Sequence, residues 1–235
     1  MRFAVSMLNK NNKKRKGASA KVCAVSQEQR KPLLALTGQY QNGKSTFLNC
    51  LLGGPYAIEG NGLITTKYNA KYIFGDCVEA RIIHKNGRTT SLESTGEIFS
   101  AVDTLQELDK NALMEISVYS PILTDMDVLD SPGCGANKVD DSVATTALDI
   151  ADFVIFIVQK ALDNESDIPF IKDLTSRGKH FTVILNCLND CSPLSEQSSR
   201  ICDAIFAKLK NEGLTENYVH LSNKFPVYPV NLLCR

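Results

Sequence analysis

From residue 33 onward the chain alternates between short, wholly apolar runs and stretches where apolar residues recur every three or four positions. LLALTG (33–38), FVIFIV (153–158) and FTVILN (181–186) are apolar on both faces, the pattern of strands buried inside a sheet. Between them lie helical stripes. Phe47, Leu48, Leu51 and Leu52 place a helix over 44–54, stopped by Gly53-Gly54. Ile98, Val102, Leu105 and Leu108 predict another over 95–109, and Val143, Ala147, Leu148 and Ala151 a third over 139–152. Two more are expected at 165–177, closed by Gly178, and from Ser192-Pro193 onward, where proline suits the first helical position and Ile201, Ile205 and Leu209 continue the face. Residues 67–75 and 77–84 are β-rich and separated by Gly75-Asp76, which predicts an antiparallel hairpin. Residues 114–120, 125–130 and 225–230 read as further strands, the last at a sheet edge because of its two prolines. Strands alternating with helices predict an α/β sandwich with a mainly parallel sheet and one antiparallel edge hairpin at 67–84.

Composition narrows the picture slightly. The chain has 235 residues, 43% of them hydrophobic, enough for one substantial core. Lys plus Arg and Asp plus Glu both number 26, so the zero net charge calls for no nucleic acid partner. The eight cysteines are scattered, and Cys187 and Cys191 have no second Cys or His pair beside them, so a reduced cytoplasmic protein without a zinc site is expected. Residues 1–31 include the basic run KNNKKRKGASAK and lack an apolar period, which predicts a solvated, disordered tail. Residues 32–235 form the expected domain, which ends five residues after its last strand, where a covering helix would be looked for.

The chemistry starts at GQYQNGKS (38–45), which fits Gly-x-x-x-x-Gly-Lys-Ser/Thr between a predicted strand and a predicted helix. Gly38 and Gly43 let the backbone of Gln39, Tyr40, Gln41 and Asn42 wrap inward, so that successive N–H groups point at phosphates. The start of the helix, Lys44 to Thr46, adds its dipole to the same anion. Lys44 reaches the β- and γ-phosphates, and Ser45 presents a hydroxyl to Mg2+. Farther on, VLDSPG (128–133) sets Asp130 at a strand end with Gly133 three residues later. There the aspartate can hold Mg2+ through water, and the glycine N–H can sense a γ-phosphate. In GLITTK (62–67), Thr65 or Thr66 can offer a hydroxyl to Mg2+ and a carbonyl to the attacking water.

These stretches in this order resemble the P-loop GTPase fold, a three-layer sandwich. GQYQNGKSTFLNCLLG, GLITTK, SPILTDMDVLDSPGCG and ALDIADFVIFIVQKALDNESD resemble the G domain of the dynamin-like large GTPases, and Tyr40 at the third loop position resembles the bacterial-type members. The resemblance implies binding of GTP and GDP, Mg2+-dependent hydrolysis, and pairing of two G domains across the nucleotide. It places membrane contact in a stalk and a lipid-binding tip, which are not among these residues. Tyr40 stands where other members carry a charge-stabilising Gln, and Cys134 follows Gly133 where Ras-like enzymes orient water with Gln, so slow turnover is expected.

The family's base-reading motif, Asn-Lys-x-Asp, falls on VILNCLND (183–190). Asn186 then stands at the motif Asn, Cys187 at the Lys and Asn189 at the Asp. Asn189 would turn an NH2 donor toward the guanine amino group; a one-residue shift in the loop instead brings the Asp190 carboxylate to the base. Two other functions stay open: a nucleotide-binding scaffold with little turnover, and a P-loop NTPase of different base specificity.

Overall fold

The computed structural model describes residues 30–57, 69–92, 112–132, 148–162, 165–187, 192–222 and 227–230. They build one nine-stranded sheet: β1 Leu33–Gly38, β2 Asn69–Phe74, β3 Glu79–Ile83, β4 Thr89–Leu92, β5 Leu113–Val118, β6 Asp127–Asp130, β7 Phe153–Val158, β8 His180–Asn186 and β9 Tyr228–Val230. The spatial order is β4-β3-β5-β2-β6-β1-β7-β8-β9. β6, β1, β7, β8 and β9 run parallel. Every residue of β1 and β7 is buried, as their unbroken apolar runs require of strands covered on both faces.

Successive side chains of these strands feed two separate cores. Leu34, Leu36, Val128, Ile155 and Ile157 pack against Leu48, Leu51 and Leu52 of helix α1 (Lys44–Leu52) and Leu123 of a 3-10 turn at Pro121–Thr124. Ala35, Val154, Phe156, Phe181 and Val183 pack on the other face against α2 (Asp167–Ser176) and α3 (Glu196–Asn211), through Ile171, Leu174, Ile205 and Leu209. Helices thus cover the sheet on both sides, in the three layers expected. Burying each such Leu or Phe stabilises the fold by about 1.5–3 kcal/mol.

The edge hairpin exists, but not at 67–84. β2 and β3 do not pair; β5 lies between them, parallel to β2 and antiparallel to β3. The chain does reverse direction after Gly75, but it spans β5 instead of folding β3 directly onto β2. The Gly75 N–H donates to Val118 O of β5, and a Cβ there would stand 2.7 Å from the Ser117 Cβ. The hairpin is β3–β4, closed at Asn86-Gly87, where Gly87 has φ 81° and His84 N–H donates to Arg88 O at 2.9 Å. β2 sits inside the sheet because its partners on both sides are charged as well as apolar. Lys71 lies 2.8 Å from Asp127 of β6 and 3.5 Å from Glu115 of β5, and Arg81 of β3 donates to Glu115 at 2.7 Å.

Smaller differences concern helix starts. α3 begins at Glu196, capped by Ser195, whose hydroxyl accepts from Ser198 N–H at 3.1 Å; Ser192-Pro193 forms the turn before it. The strand predicted over 225–230 is described only as β9, and it does lie at an edge. Of the helix expected at 139–152, residues 148–150 are described and helical. The helix expected at 95–109 lies outside the described residues, as does the basic segment up to residue 29.

Candidate functional site

Because β1, β6, β7 and β8 are parallel, their C-terminal ends meet at one side of the sheet, where open α/β sheets bind ligands. The phosphate loop starts there, at the end of β1. Gly38 is required by packing: its φ is 142°, and a Cβ on it would stand 2.3 Å from the carbonyl oxygen of Ile157 on β7. Gln41 has φ 63°, the one positive value at a non-glycine among the described residues. Gly43 (φ 85°) opens α1 with no side-chain cap, so no capping side chain takes up the first N–H groups of the helix, the arrangement in which a helix start can receive an anion.

Lys44, only 7% exposed, turns its ammonium back to the loop, to Gly38 O at 3.2 Å and Gln39 O at 2.9 Å. These two carbonyls fix the ammonium at the phosphate loop, where a cation can meet an anion bound by the loop. Ser45 and Thr46 follow in the first helical turn, both partly buried.

Four side-chain tethers pin the loop to its neighbours. Asn42 Nδ2 donates to Ile157 O at 2.9 Å, and Gln159 Nε2 to Gln41 O at 2.5 Å. Asn186, at the end of β8, donates through Nδ2 to Asn42 O at 3.2 Å. Gln39 Nε2 donates to Ser166 Oγ at 2.7 Å and to Asp167 Oδ1 at 2.8 Å. Gln39 is legible in the sequence as a phosphate-loop residue; Gln159, Ser166 and Asp167 are not. The last two lie in the ALDNESD stretch, but nothing local marks them as neighbours of Gln39. Tyr40 is partly buried.

Asp130 ends β6 beside β1, in register with Leu36, and is 2% exposed. Ser131 fixes that strand end by donating its N–H and its hydroxyl to Leu36 O, at 3.3 and 2.9 Å. Burial, and then the charge of Asp130, hold the Tyr72 phenol well above its ordinary range, so it stays protonated. The Ser45 hydroxyl and the Asp130 carboxylate are hard oxygen donors, of a kind that suits Mg2+ better than a softer metal.

Cys187, at the motif lysine's position, is buried at 2% exposure. Its thiol lies 3.4 Å from Ser198 Oγ of α3, and its N–H donates to Val230 O at 2.6 Å. Its side chain therefore belongs to the core. Thr65, Thr66, Gly133, Cys134, Asn189 and Asp190 lie outside the described residues. The structure thus brings together Gly38 to Thr46, Asp130 and Asn186.

The Dynamin family profile matches residues 34–187. No curated protein matches the sequence. Among solved structures, two of an oligomerised bacterial dynamin pair share the fold, both described as providing a mechanism for long-range sensing and tethering of membranes. One is 19% identical with a TM-score of 0.55, over 78% of this chain and 29% of that one. The other is 17% identical with a TM-score of 0.52, over 80% of this chain and 29% of that one. This chain therefore spans less than a third of their length. A match over more than half of the sequence, with the pinned phosphate loop inside it, shows that the chain belongs to the dynamin family and carries its G domain.

Proposed function

We propose that this domain binds GTP with Mg2+, hydrolyses it slowly, and pairs with a second copy across the nucleotide. The observation that carries the reading is Lys44: a buried ammonium held by two carbonyls at the mouth of a loop of backbone N–H groups. Ser45 and Asp130 would hold Mg2+, joined by Thr65 or Thr66, and the ion would neutralise charge on the β- and γ-phosphates. Gly133 N–H would meet the γ-phosphate, and the switch threonine carbonyl would place the attacking water. Asn186 would hold the base loop to the phosphate loop, with Asp190 rather than Asn189 reading guanine.

Slow turnover follows from what the loop lacks. Both amide protons of Gln39 are engaged by Ser166 and Asp167, which leaves them unavailable to developing charge. Tyr40 and Cys134 supply no amide in its place. The same observation supports a second reading, a nucleotide-dependent scaffold with almost no hydrolysis. Among the described residues, the exposed free thiols of Cys50 and Cys77 suit a reduced cytoplasmic setting.

The test is to measure binding and hydrolysis of GTP, ATP and XTP with Mg2+ by the purified chain. GTP binding with slow phosphate release is expected. Tighter binding of ATP than of GTP would overturn the guanine reading, and binding without any release would select the scaffold.

A further inference from the structure

The Gln39 carboxamide is committed to α2, and its backbone is committed to Lys44. Its Nε2 has two protons and two acceptors, Ser166 Oγ at 2.7 Å and Asp167 Oδ1 at 2.8 Å, and a flipped amide would set its oxygen against the Asp167 carboxylate, so the orientation is fixed by Asp167. The backbone carbonyl of Gln39 accepts from Lys44 Nζ at 2.9 Å and from Asn42 N–H at 3.3 Å. Asp167 is only 1% exposed and opens a helix whose Ile171 and Leu174 are wholly buried, so its carboxylate is fixed to the frame of the sheet.

We propose that Asp167 is a positioning residue for the phosphate site, acting through Gln39 on Lys44. The inference rests on the nucleotide reading above and adds a part to it. An acidic residue in the first turn of a helix is ordinarily an exposed partner of the helix dipole. Asp167 differs on both counts: it is buried, and Gln39, 128 residues away in sequence, donates to it. A buried carboxylate demands strong donors, and hydrogen bonds to an ionised acceptor are about twice as strong as neutral ones. One of those donors is the loop residue whose carbonyl is the nearer of the two holding Lys44. Displacing Gln39 therefore displaces the ammonium, and small misplacements at a phosphate site are felt strongly in binding and rate. Movement of α2 would reach the phosphate loop by the same route.

The contact can be broken and rebuilt by exchanging its chemistry. Gln39→Glu sets a second carboxylate against Asp167. Gln39→Glu with Asp167→Asn restores a donor and an acceptor with the direction reversed. Mg-GTP dissociation constants and melting temperatures would be measured for wild type, both single variants and the double variant. Gln39→Glu should weaken GTP about tenfold or more, and the double variant should recover to within about threefold of wild type. With Lys44→Ala already present, Gln39→Glu should add less than about twofold, a non-additivity that a merely structural role would not produce. Unchanged GTP affinity in Gln39→Glu overturns the proposal. So does an equally large loss in the Lys44→Ala background, or failure of Asp167→Asn to rescue. If Gln39→Glu does not fold, the near-isosteric Asp167→Asn decides alone: a measurable loss of GTP affinity at unchanged melting temperature supports the proposal, and wild-type affinity overturns it. Wild-type affinity in Lys44→Ala itself would instead overturn the nucleotide reading.

Discussion

The side-chain amide of Asn186 donates to the backbone carbonyl of Asn42 at 3.2 Å, joining residues 144 positions apart. The end of β8, where a base would be read, and the loop where phosphates would sit therefore form one framework. Asn186 Oδ1 is buried with no hydrogen-bond partner among the described residues, so the contact depends on Nδ2.

Asn186→Ala should lose that bond, costing about 1 kcal/mol of stability and weakening nucleotide binding. Asn186→Asp should be worse at neutral pH, because a carboxylate would face the Asn42 carbonyl. Burial and that carbonyl would raise the new carboxyl's folded pKa above its unfolded value of about 4. Below that value the protonated form can donate to Asn42 O; as pH rises through the folded pKa this contribution is lost. Melting curves of Asn186→Asp at pH 5 and pH 8 check the sign, and a variant more stable at pH 8 would contradict it.

Lys44→Ala should leave the fold intact and lower GTP affinity by about 2–3 kcal/mol, roughly 30- to 150-fold. Titration of a fluorescent GTP analogue measures it.

Two glycine substitutions should differ sharply. Gly38→Ala drives a Cβ into Ile157 O at 2.3 Å and should cost more than about 3 kcal/mol. Gly53→Ala meets nothing within 4 Å and should cost only about 1 kcal/mol, for its φ of 78°. Denaturant midpoints of the two variants compare them. In the same way Gln41, at φ 63°, should accept Gly without loss but not Val, which should cost more than about 1 kcal/mol.

For the base loop, Asp190→Ala should weaken GTP binding more than Asn189→Ala does. If Asn189→Asp instead tightens GTP strongly, the unshifted register of VILNCLND is the right one. Competition of GTP against XTP in each variant distinguishes the two.

The domain should sediment as a monomer without nucleotide and as a dimer with GDP and fluoroaluminate. A monomer under both conditions would favour the scaffold reading.

The sequence by itself determined what is written in local spacing. Gly38, Gly43, Lys44 and Ser45 state a phosphate loop because backbone wrapping and a helix start need those residues at those intervals. β1, β7 and β8 were legible because a strand buried on both faces must be apolar throughout. Pairing between strands leaves no such local mark. β-rich residues 67–75 and 77–84 look like a hairpin from their own pattern, yet β5, some forty residues on, slips between them. Only the tertiary structure could decide that, because the charges of Lys71, Glu115, Arg81 and Asp127 find one another across four strands. The tethers of the phosphate loop have the same character. Gln39 as a letter in the loop promises only a polar side chain; its commitment to Asp167 comes from where the sheet sets down α2. Hydrogen-bond partners brought together by topology are distant in sequence, and no period or motif encodes them.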